Sequence, residues 1–304
     1  MSKSDDIAPP NEAAGILLAG SAYAFWGVFP LYWDLLAVVP PFELVLHRML
    51  WCALFTAVVT AARGRLRTVW RTVCTKRLVS ALALSGVLIA INWTIYIWSI
   101  ATAQLVEASL GYYMTPLLSI ALGVVMLGEK LSRFRLAALT LAAVAVCVMA
   151  LRLGHVPWIA LGLALSFGFY GYVRKLTPVD SLDGLTIEMG LFFPLSLGSI
   201  AFWAWRGTGV FPSMHLSIDA LLLLGGPVTA LPLALFAAGA RRVRMTTLGF
   251  LQYLAPTITL LLATLFLGEK FTSMDAAVFG CVWVALLLVG LEGPVARSVA
   301  RQGA

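Results

Sequence analysis

Apolar positions in this chain come in long continuous runs, not in the alternation of a half-buried strand or the stripe of a soluble amphipathic helix. One helical crossing of a bilayer core takes roughly 20 predominantly apolar residues. Ten such runs can be marked, at about 14–36, 42–62, 78–101, 106–127, 134–153, 157–175, 184–205, 217–239, 246–267 and 273–292. Hydrocarbon offers the backbone no hydrogen-bond partner, so each run is predicted to be helical. A transmembrane barrel would instead show alternating segments of about 10 residues, whereas these runs are rich in Leu and Ala throughout. The pattern predicts an all-α polytopic membrane protein with ten transmembrane helices. Its connections are short except after the second run, and leave no room for a soluble domain.

Composition agrees. The chain is 61% hydrophobic and 12% charged, against about 25% charged in a typical soluble domain, and its mean hydropathy is +0.94. Residues 1–11 are polar and lack the basic region and small-residue cleavage site of a signal peptide, so the first run is expected to be a retained span. With the N-terminus in the cytoplasm, seventeen of the 21 Lys and Arg fall on the inner side, and only Arg48, Arg152, Arg206 and Lys270 on the outer side. The positive-inside rule therefore places both termini in the cytoplasm. The net charge of +7 then belongs to loops beside anionic lipid and calls for no nucleic-acid partner. The four cysteines are scattered without Cys/His spacing, which indicates neither a disulfide framework nor a metal site, and no cofactor is expected.

Two stretches are near copies. Tyr113-Met114-Thr115-Pro116, ten residues and then Leu127-Gly128-Glu129-Lys130 return as Tyr253-Leu254-Ala255-Pro256, ten residues and Leu267-Gly268-Glu269-Lys270. Every matching position is offset by 140 in a chain of 304. The copies lie on runs four and nine, and an odd separation reverses direction across the membrane. A weaker echo pairs Phe25-Trp26-Gly27 with Phe169-Tyr170-Gly171. The reading is a 5+5 inverted repeat, residues 1–153 and 154–304, an architecture common among secondary transporters with a substrate site where the halves meet.

The residues also carry a resemblance. Ser21-Ala22-Tyr23-Ala24-Phe25-Trp26-Gly27-Val28-Phe29-Pro30-Leu31-Tyr32, Glu43 with His47-Arg48 and Trp51, Asn92-Trp93 with Tyr96-Ile97-Trp98, Glu107-Ala108-Ser109-Leu110-Gly111-Tyr112 and Leu248-Gly249-Phe250-Leu251-Gln252-Tyr253 with Pro256 are involved. Together they resemble the RarD branch of the EamA-type drug/metabolite transporter superfamily over nearly the whole chain. The resemblance implies ten helices in two inverted repeats, with spans one to four and six to nine around a central cavity and spans five and ten as peripheral supports. It also implies a plasma-membrane permease, in a branch whose name is tied to chloramphenicol resistance.

Ionisable groups inside spans are costly and are functional candidates by default. Glu43 and His47 share a face of run two beside Arg48; either that pair carries a proton, or Glu43 and Arg48 sit as interfacial groups that snorkel to water. Glu188 begins run seven as a counterpart to Glu43, and Glu107 opens run four; both also suit a helix N-terminus. These five are candidates for proton coupling or gating. Asn92, Tyr96 and Ser99 form a polar stripe on run three that should face the bundle interior. Tyr112, Tyr113, Gln252 and Tyr253 flank the motif prolines, each of which frees a carbonyl and kinks its helix. With Trp26, Tyr32 and Tyr170 they make the candidate substrate cavity, packing being the alternative. Trp33, Trp158, Trp203 and Trp205 are read as interfacial belts, and the Gly-Glu-Lys turns as helix ends.

The function predicted is a secondary transporter exporting small amphipathic or aromatic metabolites or drugs, phenicols among them, across the plasma (inner) membrane by alternating access. Proton coupling is one option for its energy, since no P-loop pattern points to ATP. Its partners are a small-molecule substrate and the bilayer, and its state a monomer or homodimer. The alternatives are a non-transporting sensor or scaffold and an intramembrane enzyme. The latter lacks an H-E-x-x-H or G-x-S-x-G motif.

Overall fold

A computed structural model describes residues 11–102, 104–213, 215–265 and 280–289. All its regular structure there is helical: α1 (Glu12–Asp34), α2 (Pro41–Ala62), α3 (Leu66–Cys74), α4 (Lys76–Ala101), α5 (Leu105–Leu127), α6 (Arg133–Leu153), α7 (Trp158–Leu176), α8 (Ser181–Arg206), α9 (Leu216–Ala240), α10 (Met245–Gln252), α11 (Leu254–Leu265) and α12 (Gly280–Val289). Among the described residues, eight segments are long and apolar enough to cross a membrane. They are α1, α2, α4, α5, α6, α8, α9 and the α10–α11 pair taken together. The polytopic helical class expected from the runs is what the chain adopts. α7 has 19 residues but is diluted by Tyr170, Tyr172 and a terminal Arg174-Lys175, so it falls outside that set.

Two elements depart from the sequence reading. The long connection after the second run contains α3, an amphipathic helix with Leu66, Trp70 and Val73 exposed on one face and Arg67 and Arg71 between them. The ninth run is broken at Tyr253, three residues before Pro256, which has no N–H to bond the Gln252 carbonyl. α5 passes through Pro116 unbroken. The first Leu-Gly-Glu-Lys copy ends α5 as expected, with Gly128 at φ 66° in the left-handed region. The second copy lies outside the described residues.

Packing runs mainly between the first and second parts of the chain. α1 lies against α9 and α11, α2 against α8 and α9, α4 against α7 and α8, and α5 against α7 and α10, while α6 rests on α5. Small residues allow close crossing where lipid supplies no hydrophobic drive between helices. A Cβ at Gly239 would sit 2.7 Å from the Ala19 nitrogen on α1, and one at Gly249 2.8 Å from the Pro116 carbonyl oxygen on α5. The largest core cluster gathers Tyr23, Leu46, Met49, Cys52, Tyr170, Met189 and Phe236 from α1, α2, α7, α8 and α9.

Candidate functional site

Arg48 is the eighth residue of α2, which at 1.5 Å per residue puts it about 10 Å into the helix. Its guanidinium carbon lies 4.4 Å from the Trp33 ring centre on α1 and 4.3 Å from that of Trp93 on α4. Its Nε–H faces Thr229 Oγ1 on α9 at 3.4 Å. Tyr32, Tyr96, Tyr112 and Cys52 are its electrostatic neighbours. Tyr96 and Tyr112 meet edge to face at 5.9 Å. Tyr112 keeps 48% of its surface accessible. Arg48 is half-buried. The rings and the guanidinium together form a partly accessible cleft at the Arg48 side chain. α1, α2, α4, α5 and α9 converge on it.

Other residues named from sequence are placed differently. Asn92 donates to the Leu163 carbonyl and to Ser166 Oγ, both at 3.0 Å, and so ties α4 to α7. Ser99 is buried and bonds back to the Tyr96 carbonyl. Trp26 and Tyr170 belong to an aromatic cluster with Tyr23, Phe167 and Phe236, and Tyr170 stacks on Phe236 at 5.7 Å. Tyr113 and Tyr253 are both buried, the Tyr253 hydroxyl reaching the Tyr113 carbonyl at 3.4 Å. Gln252 pairs with Ser119 at 3.1 Å. The Tyr32 hydroxyl donates to the Leu221 carbonyl. The two proline motifs therefore meet through packed side chains, while the accessible surface is at Tyr112.

The acidic candidates fall at opposite ends of the bundle. Glu43 accepts from the Val210 N–H at 2.7 Å. His47 Nδ1 accepts from Trp51 Nε1 at 3.1 Å, which leaves Nε2 protonated and 3.8 Å from Glu43, beyond hydrogen-bond range. Glu107 accepts from the Ile159 N–H at 2.7 Å and so caps the N-terminus of α7. Glu188 is wholly buried, 3.4 Å from Arg174 Nη1, and accepts from Ser85 of α4. Gly184 leaves the space this guanidinium fills, since a Cβ there would collide with it.

Helix register pairs these groups in a different way from the sequence reading, which sets Glu188 against Glu43. The third residues of α2 and α8 are Glu43 and Asp183, and the eighth are Arg48 and Glu188. The offset is 140, that of the proline motifs. Glu43 binds the loop after α8, and Asp183 binds Arg65 in the loop after α2 at 2.9 and 3.1 Å. Those hydrogen bonds, with the charge of Asp183, raise the Arg65 pKa above its ordinary value.

Several residues with partners on other helices escape the sequence reading. Arg174 counts there among the loop cations, but α7 continues past it to Leu176, and it is 1% exposed. Trp33, read as part of a belt, instead covers Arg48. Glu129, read only as part of a helix end, caps α10 by accepting from the Met245 and Thr246 N–H groups at 2.6 and 2.8 Å. The one available signal is the 140-residue register carried into the second and seventh runs, which aligns Met49 with Met189 as well.

Eight membrane-crossing segments among the described residues fit a membrane transporter, and comparison with known proteins supports that class. The EamA-like transporter family matches residues 13–151 and again 156–291. The chain belongs to that family, as a transporter of its RarD type. It is 40% identical over 279 residues to a Bacillus subtilis protein named "Uncharacterized transporter YojE", covering 90% of this chain and 92% of that one. It is 39% identical to "Protein RarD" of Escherichia coli, over 91% and 94%. With "Chloramphenicol-sensitive protein RarD" of Pseudomonas aeruginosa it shares 29% identity, over 95% and 98%. A solved crystal structure superposes with a TM-score of 0.68 over 92% of this chain and 98% of that one, at 18% identity, a likeness of fold.

Proposed function

We propose that the chain is a secondary transporter in which two inverted five-helix repeats, residues 1–153 and 154–304, alternate access to the Arg48 cleft. The observation that carries this reading is the convergence of helices from both parts on the half-buried Arg48 guanidinium. Three others support it: the double family match, the 140-residue register, and the reciprocal packing of α1 on α9 and α4 on α7. In this reading α7 and the α12 segment belong to the sixth and tenth spans. The ends that hold Arg63, Arg65, Lys175 and Arg241 face the cytoplasm of the plasma membrane, both termini included.

The substrates are small aromatic or amphipathic solutes, and export is the direction we assign. The name of the Pseudomonas relative makes a phenicol one solute to test. In proteoliposomes, counterflow of a labelled aromatic solute is the expected result; product formation or ligand binding without flux would count for an enzyme or a sensor. Glu43 and Glu188 are the candidates for proton coupling, with His47, Arg48 and Glu107 as gating groups. Glu43→Gln is expected to remove pH-driven uptake while leaving expression intact, and Glu188→Gln to remove it per folded molecule, since that change also strands Arg174. Unchanged flux in both variants removes protons from the account.

A further inference from the structure

We infer that the substrate is an organic anion with one negative charge and a planar body, held by Arg48 as its ion partner. The inference rests on the transport reading above and narrows it. Among the described residues Arg48 faces no carboxylate, and its one hydrogen bond is the long Nε contact to Thr229 at 3.4 Å. The neighbouring acids are engaged elsewhere: Glu43 holds Val210, Asp219 holds the Ser213 N–H at 2.8 Å, and Glu188 holds Arg174 and Ser85. The two indoles offset the cost of a cation in this place, but they give its N–H groups no oxygen acceptor. Its Nη donors are not among the sealed, unpartnered atoms of the core, whereas Arg174 Nη1 and Nε are. Arg48 is half-buried, so these donors are reachable.

A planar fork of N–H donors beside accessible space is the geometry that takes a carboxylate through paired hydrogen bonds. The rest of the cleft sets the class. Tyr32, Tyr96, Tyr112 and Cys52 surround the cation and none adds a second positive charge, so a monoanion balances the site and a dianionic phosphate would not. Trp33 stands 4.8 Å from Tyr32, and Tyr96 5.9 Å from Tyr112. These rings give a flat apolar body its walls. By helix register the position matching Arg48 in the second part is Glu188, whose charge Arg174 already meets. The uncompensated charge is thus on one side of the pseudo-symmetry, which makes the cleft net positive.

The test compares acids with their own amides. Benzoate, trans-cinnamate and indole-3-acetate are titrated into the purified full-length protein by calorimetry, each against benzamide, cinnamamide or indole-3-acetamide. At least one acid is expected to bind at least about tenfold more tightly than its amide, the difference a charge-assisted hydrogen bond supplies. Arg48→Gln is expected to erase that preference. Arg48→Lys, which keeps the charge but not the fork, should retain a preference for the acid at reduced affinity and shows that the site is folded. Amides that bind as well as acids, an absence of acid binding to the wild type, or a preference that survives in Arg48→Gln would each overturn the inference. Counterflow of the same solutes separates the two readings. Flux of amides without acid preference leaves transport standing and removes the anion, while acid binding without flux does the reverse.

Discussion

Arg174 and Glu188 hold opposite charges where almost no water reaches them. Among the described residues, Arg174 Nε and Nη1 and Glu188 Oε2 also lack hydrogen-bond partners. Such a pair adds little net stability, yet removing one partner strands the other, at a cost of roughly 3–5 kcal/mol. Arg174→Gln should therefore lower the thermal midpoint of the detergent-solubilised protein markedly, and Arg174→Met combined with Glu188→Leu should cost less than the sum of the two single changes. Additive losses would mean the two charges are not coupled. At this scale the sequence is a partial guide. It singles out Glu188, because a carboxylate inside an apolar run is costly, but Arg174 stands at the end of its run, where a cation is usually solvated. Only the observed length of α7 and the gap left by Gly184 reveal the pairing.

The helices themselves are largely legible, since about 20 apolar residues in a row leave few other structures in hydrocarbon. Where local chemistry competes with the run, the sequence says less. The two Pro motifs read alike, yet α5 continues through Pro116 and the ninth run breaks at Tyr253. α3 is too short to appear as a run. Its exposed Leu66 and Trp70, the latter 69% accessible, with Arg67 and Arg71 alongside, describe a helix lying on a membrane surface with its apolar face in lipid. Trp70 emission, taken as the difference between wild type and Trp70→Phe, should be quenched in bilayers carrying bromines just below the headgroups. Emission unaffected by brominated lipid would place α3 in water.

At the level of the whole molecule, the reciprocal packing of α1 on α9 and α4 on α7, and of α2 on α8 and α5 on α10, is what two interlocked repeats would give. The same 140-residue offset visible in the proline motifs relates Glu43 to Asp183 and Arg48 to Glu188. Composition makes the membrane class readable early, and duplication is what suggests the repeat. The site is less readable because side chains on five helices build it, and no run shows which neighbours it will have. The motif tyrosines Tyr113 and Tyr253 serve as packing, and the accessible wall passes to Tyr112, one residue away and about 100° around the helix.

Tyr112 also offers the most direct test of alternating access. In a variant with its four cysteines replaced by alanine, Tyr112→Cys is exposed to a membrane-impermeant thiol reagent in right-side-out and in inside-out vesicles. The account predicts labelling from either face, slowed on both by a bound solute. Labelling from one face alone, whatever solute is present, or from neither, would contradict it.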